Sequence, residues 1–97
     1  MTGSELIAAE RQRQIEVEGW SPEHDDEHTS GELAFAAATY ALYGTGEHNP
    51  QARADYLWPW DDEWLKITEP TRSLIKAGAL IAAEIDRRLR AGETMGN

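Results

Sequence analysis

A short stretch after Pro22 combines carboxylates with imidazoles: Glu23, His24, Asp25, Asp26, Glu27 and His28. Carboxylate oxygens are the ligands that Mg²⁺ and Mn²⁺ prefer, whereas imidazole nitrogens suit Zn²⁺ and Ni²⁺. If Ser21 caps a helical turn with Pro22 at its first position, His24 and His28 lie at i and i+4 on one face. The spacing predicts a divalent cation site, with Mg²⁺ or Mn²⁺ as the expected cofactor.

Two further carboxylates, Glu32 and Glu84, extend this prediction. They lie on different predicted helices, at ends that come together if the helices are antiparallel. Carboxylates that face each other across two helices are one way to hold a metal ion. The predicted metal ligands are therefore Glu23, His24, Asp25, Asp26, His28, Glu32 and Glu84.

Two alternatives for the acidic stretch stay open. Its carboxylates could be solvated charges that favour the positive N-terminus of the next helix, with Glu32 as the capping partner of Thr29. They could also act in acid–base catalysis with the imidazoles.

Aromatic rings and charges alternate in a second segment, where Trp58, Trp60 and Trp64 are interleaved with Asp61 and Lys66. Indole rings can stack on a nucleobase, while basic side chains can bind a phosphate. The predicted ligand-binding residues are Trp60, Asp61, Trp64, Lys66 and Arg72.

Within this segment we expect Trp58 and Trp64 to be mainly buried. We expect Trp60 to border a pocket with Asp61, Lys66 and the segment from His24 to His28. The alternative is that Trp58 and Trp64 are packing material of the core or of a dimer interface. Trp20 is expected to plug the end of the first helix rather than to contact a ligand.

The chain has 97 residues and a formal net charge of −9, which suits a single small domain over residues 1–97. Such a domain buries only about 60–65% of the surface that its unfolded chain exposes, so we expect a second copy to complete the core. Cysteine is absent, which excludes disulfides and thiolate metal sites. No apolar run reaches the roughly 18 residues that span a bilayer, so we expect a cytoplasmic protein without membrane contact.

Charge restricts the expected partners further. Clustered Lys and Arg are needed to bind nucleic-acid backbones, so the acidic balance opposes such binding and favours cations or a basic protein. Acidic residues concentrate in residues 1–32, whereas basic residues concentrate in residues 70–97. These two parts of the chain should attract each other.

The fold class is predicted to be all-α, with three main helices. The first opens with a capping box at Thr2 and Glu5 and runs to about Glu18. The second opens with the same motif at Thr29 and continues to Leu42, and the third starts near Pro70 and ends before Gly92.

The second and third helices are rich in small residues and should form an antiparallel pair. Close approach of their backbones is expected where Ala37, Ala38 and Ala41 face Ala77, Gly78 and Ala82. The long connection between them, Thr45 to Glu69, should fold back over the pair with its tryptophans. Residues 93–97 are expected to fray.

Most of the chain, residues 10–88, resembles a small phage- and prophage-encoded family. The strings that carry the resemblance are Glu18-Gly19-Trp20-x-x-Glu23-His24-Asp25-Asp26-x-His28-x-x-Gly31-Glu32-Leu33-Ala34, Trp58-Pro59-Trp60-Asp61-x-x-Trp64-x-Lys66 and Lys76-Ala77-Gly78-Ala79-Leu80-Ile81-x-Ala83-Glu84-Ile85-Asp86-Arg87. The resemblance implies a phage context, and hence the cytoplasm of a bacterial host, more than any activity.

A looser resemblance is to the MazG-like all-α nucleotide pyrophosphohydrolases, whose helix-borne acid pairs bind Mg²⁺ at a triphosphate. The strings involved are Gly31-Glu32-Leu33-Ala34 and Glu84-Ile85-Asp86-Arg87. The chain departs from the pattern, because Phe35 and Ala36 stand where a second acid is wanted and Arg87 replaces the final Asp.

Three functions follow from these observations. The favoured one is a phage-type protein that binds a nucleotide or nucleotide-derived ligand, together with a divalent cation. The first alternative is Mg²⁺-dependent nucleotide hydrolysis of the MazG type. The second is an acidic inhibitor that binds a host defence or nucleic-acid enzyme by occupying a basic channel.

Overall fold

The computed structural model describes residues 1–46 and 56–93. These two ranges contain helices α1 (Gly3–Glu16), α2 (Pro22–Asp25), α3 (Glu32–Tyr43) and α4 (Pro70–Arg90), a short 3-10 turn at Asp62–Trp64, and no strand. The all-α prediction is confirmed. The middle of the long connection and residues 94–97, part of the end for which we expect fraying, lie outside the described residues.

None of the helices in the described ranges combines the length and the apolar character that crossing a bilayer requires.

The predicted start of the first helix, α1, is confirmed, and so is the cap of Ser21 on the short helix α2. The backbone N–H of Thr2 donates to Glu5 Oε1 at 2.8 Å, and the N–H of Glu5 donates to Thr2 Oγ1 at 3.2 Å, which forms the capping box. Ser21 Oγ accepts from the N–H of His24 at 3.2 Å, with Pro22 at the first helical position. α1 ends at Glu16, slightly before the predicted end.

The predicted start of α3 at Thr29 is wrong. The N-cap residue is Gly31, whose φ of 85° lies in the left-handed region that favours glycine, and the helix begins at Glu32. Thr29 therefore lies outside the first turn and cannot cap it. Glu32 instead accepts a hydrogen bond from the N–H of Ser30 at 2.6 Å.

The core lies between α3 and α4. It consists of Leu33, Ala36, Ala37 and Tyr40 from α3 with Ala77, Leu80 and Ala83 from α4. Of the small residues for which we expect close approach, Ala37 and Ala77 are buried in this core, whereas Ala38, Gly78 and Ala82 are only partly buried, because the buried stripe of each helix is rotated from the predicted one.

The end of α3 lies beside the start of α4, as an antiparallel pair requires. Gly44, at the end of α3, lies against the side chain of Leu74 in the first turns of α4. The ammonium of Lys76 lies 5.5 Å from the ring centroid of Tyr40.

Helix α1 packs against the same long helix α4. Its Ile7 side chain covers Gly78, and its Glu10 pairs with Arg72. Near the other end of α4, Arg90 donates to Asp26 Oδ1 at 2.7 Å. Acids of the N-terminal third thus pair with bases of the last helix, as the charge distribution predicts.

Because Ile7 contacts Gly78, the effect of Gly78→Ala on stability should have opposite signs in the wild-type chain and in an Ile7→Ala variant. A Cβ atom at Gly78 would lie 2.5 Å from Ile7 Cδ1 and 2.8 Å from Cγ1, so Gly78→Ala should lower the free energy of unfolding by about 1–3 kcal/mol. In an Ile7→Ala background the clash is absent, and Gly78→Ala should raise stability by about 1 kcal/mol through helix propensity. Urea denaturation measures both changes. Equal effects in the two backgrounds would contradict the packing of α1 on Gly78.

Candidate functional site

A pocket of about 400 Å³ lies between the α2 segment and the tryptophan segment. This volume falls within the range of about 300–1,000 Å³ that is usual for small-molecule sites. The lining residues are Trp20, His24, His28, Pro59, Trp60, Asp61 and Trp64. The lining is therefore mainly aromatic and contains no Lys or Arg from the described residues.

Four of the lining rings form a closed circuit. Neighbouring ring centroids are 6.2 Å apart for Trp20 and His24, 4.8 Å for His24 and His28, 5.2 Å for His28 and Trp60, and 6.0 Å for Trp60 and Trp20. Two of these contacts are edge-to-face, an arrangement that aromatic quadrupoles favour. Each ring thus has two ring neighbours that support its position.

The Trp20–His24 side of the pocket is fixed by α1. Arg11 donates to the carboxylate of Asp25, which is fully buried, and to the backbone oxygen of Trp20 at 3.2 Å. The second oxygen of Asp25 lies 3.3 Å from His24 Nδ1. One guanidinium and one carboxylate therefore position both rings.

His28 is positioned from α3. Its Nδ1 lies 3.5 Å from Glu32 Oε2. Hydrogen bonds from the backbone N–H groups of Glu32 itself and of Ser30 outweigh desolvation and lower the pKa of the Glu32 carboxyl, so this partner is an anion. In both histidines, Nδ1 lies beside a carboxylate oxygen.

The tryptophan segment is held at both of its ends. Trp58 Nε1 donates to the backbone oxygen of Asp61 at 3.0 Å, and its ring packs edge-to-face on Tyr40 at 5.6 Å. The hydroxyl of Tyr40 accepts from the N–H of Lys66 at 3.0 Å, and Lys76 Nζ donates to the Lys66 oxygen at 2.6 Å. Burial raises the pKa of Tyr40, whereas burial and the nearby charge of Arg72 lower the pKa of Lys76.

The predicted ligand residues are only partly brought together. Trp60, Asp61 and Trp64 line the pocket with His24 and His28, which confirms the predicted neighbours of Trp60 apart from Lys66. Lys66 lines a small adjoining cleft, which shares Trp20 and Trp64 with the pocket.

Arg72 lies away from the pocket because it pairs with the buried Glu10. Burial acts to raise the pKa of Glu10, but the hydrogen bonds from Arg13 and the charge of Arg72 outweigh it and lower the pKa. Arg72 is therefore committed to a buried anion within the fold.

The prediction that Trp64 is mainly buried is wrong. Its side chain is 47% exposed, because the 3-10 turn Asp62–Trp64 carries it to the outer edge of the pocket. Trp58 is partly buried and packs against the core beside Tyr40. The two rings therefore differ in burial, although the sequence predicts that both are mainly buried.

Three of the seven predicted metal ligands are engaged by guanidinium groups. Asp25 pairs with Arg11 and Asp26 with Arg90. Glu84 accepts from Arg87 at 2.9 Å and from Arg88 at 2.7 Å, and these bonds lower its pKa. Glu23 is exposed.

Within residues 1–46 and 56–93, no three His, Asp or Glu side chains come together as a group that could hold a metal ion. The metal site therefore stays a prediction that the described geometry does not support.

Trp20 and Pro59 are the lining residues that the sequence prediction misses, and for Trp20 we expect instead that it plugs a helix end. Its spacing contains the missing signal, since Trp20, His24 and His28 recur at every fourth residue. Such spacing places side chains on one side of a continuous helix, although α2 itself covers only Pro22–Asp25 of this stretch. The anchoring role of Arg11 has no comparable local signal.

Comparison with protein-family models, curated proteins and solved structures finds no match for this chain. The resemblances to a phage-encoded family and to the MazG-like enzymes therefore stay predictions. A function is inferred from the pocket itself.

Two adjacent aspartates give a matched test of what holds the pocket. The side chain of Asp25 is 0% exposed and that of Asp26 is 50% exposed, although each pairs with one arginine. Asp25→Asn should cost about 3–5 kcal/mol, because it leaves the guanidinium of Arg11 without its buried anion. Asp26→Asn should cost at most about 1 kcal/mol.

Urea denaturation measures both costs, and near-ultraviolet circular dichroism reports the packing of the tryptophans. Asp25→Asn should also weaken the aromatic signal under native conditions, whereas Asp26→Asn should leave it intact. Equal losses for the two variants would contradict the anchoring role of Asp25.

Proposed function

We propose that this protein binds a nucleotide or a nucleotide-derived small molecule and that the base enters the aromatic pocket. The observation that carries the proposal is the pocket of about 400 Å³ whose wall contains Trp20, His24, His28 and Trp60 as a set of mutually packed rings. Stacking of a base on an aromatic side chain contributes about 1–3 kcal/mol in nucleic-acid complexes. The exposed ring of Trp64 at the edge is available for such stacking.

The lining charges indicate that the ring, and not the phosphate, supplies most of the affinity. Asp61 is the charged residue of the lining, whereas Lys66 belongs to the adjoining cleft. A phosphate would therefore extend past Trp64 toward Lys66. In this proposal Mg²⁺ or Mn²⁺ arrives with the phosphates of the ligand rather than on a set of protein carboxylates.

The two alternative functions have less support. Hydrolysis of the MazG type needs free carboxylates on facing helices, and Glu84 is occupied by Arg87 and Arg88. Inhibition of a host enzyme needs an acidic surface that mimics a nucleic acid. Asp26 and Glu10, two acids of the N-terminal third, are instead paired with arginines of α4.

Trp64 offers the sharpest test of this proposal, with Trp58 as its matched control. Trp64→Ala should weaken binding of adenosine, cytidine and their phosphates at least about tenfold while changing stability little, because the ring is half exposed and lines the pocket. Trp58→Ala should mainly lower stability, because Trp58 packs on the core and does not line the pocket. Tryptophan fluorescence and equilibrium dialysis measure binding, and urea denaturation measures stability.

Chromatography of the same mixtures, with and without Mg²⁺ or Mn²⁺, separates binding from hydrolysis. We expect the nucleotides to be recovered unchanged. If neither the wild-type chain nor its variants bind any member of the panel, the proposal fails. If a nucleotide is consumed, the hydrolase alternative replaces it.

We also propose that two copies of the chain associate through α4. Besides its core face, this helix carries a second apolar stripe whose large side chains are each about half exposed: Leu74, Ile81, Ile85 and Leu89. Full burial of one such side chain contributes about 1.5–3 kcal/mol. Two copies related by a two-fold axis would bring the same stripe together on both sides.

The dimer is tested by one charge placed inside this stripe. Ile85→Lys should convert the wild-type dimer into a monomer at tens of micromolar, because it would bury a like charge from each copy at the interface. Val17→Lys, at an exposed apolar residue after α1, should leave the dimer intact. Sedimentation equilibrium measures the mass, and a monomeric wild-type chain would refute the dimer.

A further inference from the structure

We infer that the pocket selects planar rings whose edge carries N–H donors, such as bases with an exocyclic amino group. The same ring with those hydrogens replaced by methyl groups should be rejected. This inference rests on the proposed function, because it names the ligand edge that the same pocket reads.

The two imidazoles of the pocket have the same environment at Nδ1. His24 Nδ1 lies 3.3 Å from a carboxylate oxygen of Asp25, and His28 Nδ1 lies 3.5 Å from one of Glu32. A carboxylate can only accept a hydrogen bond, so each favours the tautomer whose proton is on Nδ1. In that tautomer Nε2 carries a lone pair and accepts hydrogen bonds. Because both residues line the pocket, this tautomer would supply two acceptors to its wall.

The remaining lining agrees with a ligand that donates. Asp61 adds a carboxylate to the lining, and the hydrogen bonds from Trp58 Nε1 and the N–H of Trp64 go to its backbone oxygen. The lining contains no described Lys or Arg, and the indole N–H groups are its side-chain donors. A ring edge rich in acceptors would find partners only in the indole N–H groups, and it would also meet the negative charge of Asp61. An edge with N–H groups meets partners, and a partial positive charge on the ring would also favour the indole faces.

The two imidazoles lie close enough together for one small ligand ring to donate hydrogen bonds to both. Their centroids are 4.8 Å apart, and His28 is also in edge contact with Trp60 at 5.2 Å. A base stacked in the pocket would therefore present its edge to neighbouring nitrogens. Buried polar groups that lose their partner penalise a ligand strongly, which gives such sites their selectivity.

The supporting carboxylates act as positioning residues. Asp25 is shared between Arg11 and His24, and Glu32 is shared between the N–H of Ser30 and His28. Each imidazole is thus held by a carboxylate that is itself fixed by another group. Hydrogen bonds of this kind set both the tautomer and the orientation of a histidine ring.

Four nucleosides and three proteins test the inference. Adenosine is compared with N6,N6-dimethyladenosine, and cytidine with N4,N4-dimethylcytidine, by quenching of tryptophan fluorescence in the wild-type chain, His28→Phe and His24→Phe. The wild-type chain should bind each dimethylated ring about tenfold or more weakly than its parent. The two variants keep an aromatic wall but lose one acceptor each, so their ratio between parent and dimethylated ring should fall toward one.

Each outcome is decisive. Equal binding of parent and dimethylated rings by the wild-type chain overturns the inference and leaves the proposed function standing. Discrimination that persists in both variants also overturns it, because a steric effect would remain when the larger phenylalanine ring is introduced. If no nucleoside binds to the wild-type chain, the proposed function and the inference fail together.

Discussion

The pocket depends on a buried ion pair between Arg11 and Asp25. A carboxylate without solvent exposure needs both a counter-charge and hydrogen bonds, and Arg11 supplies them from α1 while it also binds the backbone of Trp20. The same carboxylate contacts His24. Because a guanidinium has fixed geometry, it holds the ring of one segment and the helical turn of another in a single register.

This anchor is connected to the core by a second buried acid. Glu10 lies one residue before Arg11 on α1 and binds Arg72 of α4. Helix α1 has a thin apolar stripe, and the buried residues of this helix are the polar Glu10 and Gln14. Polar contacts therefore locate this helix more than apolar packing does. A protein that positions its site in this way trades stability for a defined geometry, since buried pairs add little net free energy.

The opposite wall of the pocket, which the tryptophan segment forms, depends on the size of the core residues. Helices α3 and α4 meet largely through alanines, so their axes can approach closely, and Tyr40 is the aromatic residue of the core between them. Trp20, Trp58 and Trp60 pack instead around this core as an outer layer. Trp58 and Trp60 lie at 89° to each other, so one ring faces Tyr40 while the other faces the pocket. The pocket is the space that this outer layer leaves open.

Local rules predict much of this structure and long-range pairing explains the rest. Capping and periodicity locate α1, α2 and α4, because Thr2, Ser21 and Pro70 act on backbone groups within the same turn. Glycine conformation overrides the apparent cap at Thr29. The burial of Asp25 depends on Arg11, 14 positions away, and that of Glu10 depends on Arg72, 62 positions away. Such partners have no local signature in a single sequence.

Net charge and the lining of the pocket together constrain any ligand. The chain carries a formal charge of −9, and its pocket contains Asp61 but no described basic side chain. An anionic ligand would approach against this field, and screening over about 10 Å at ordinary salt reduces but does not reverse the repulsion. Under the proposed function, affinity then comes from ring stacking and from hydrogen bonds to the histidines. For that proposal, the constraint favours a nucleoside or a weakly charged derivative over a triphosphate as the ligand.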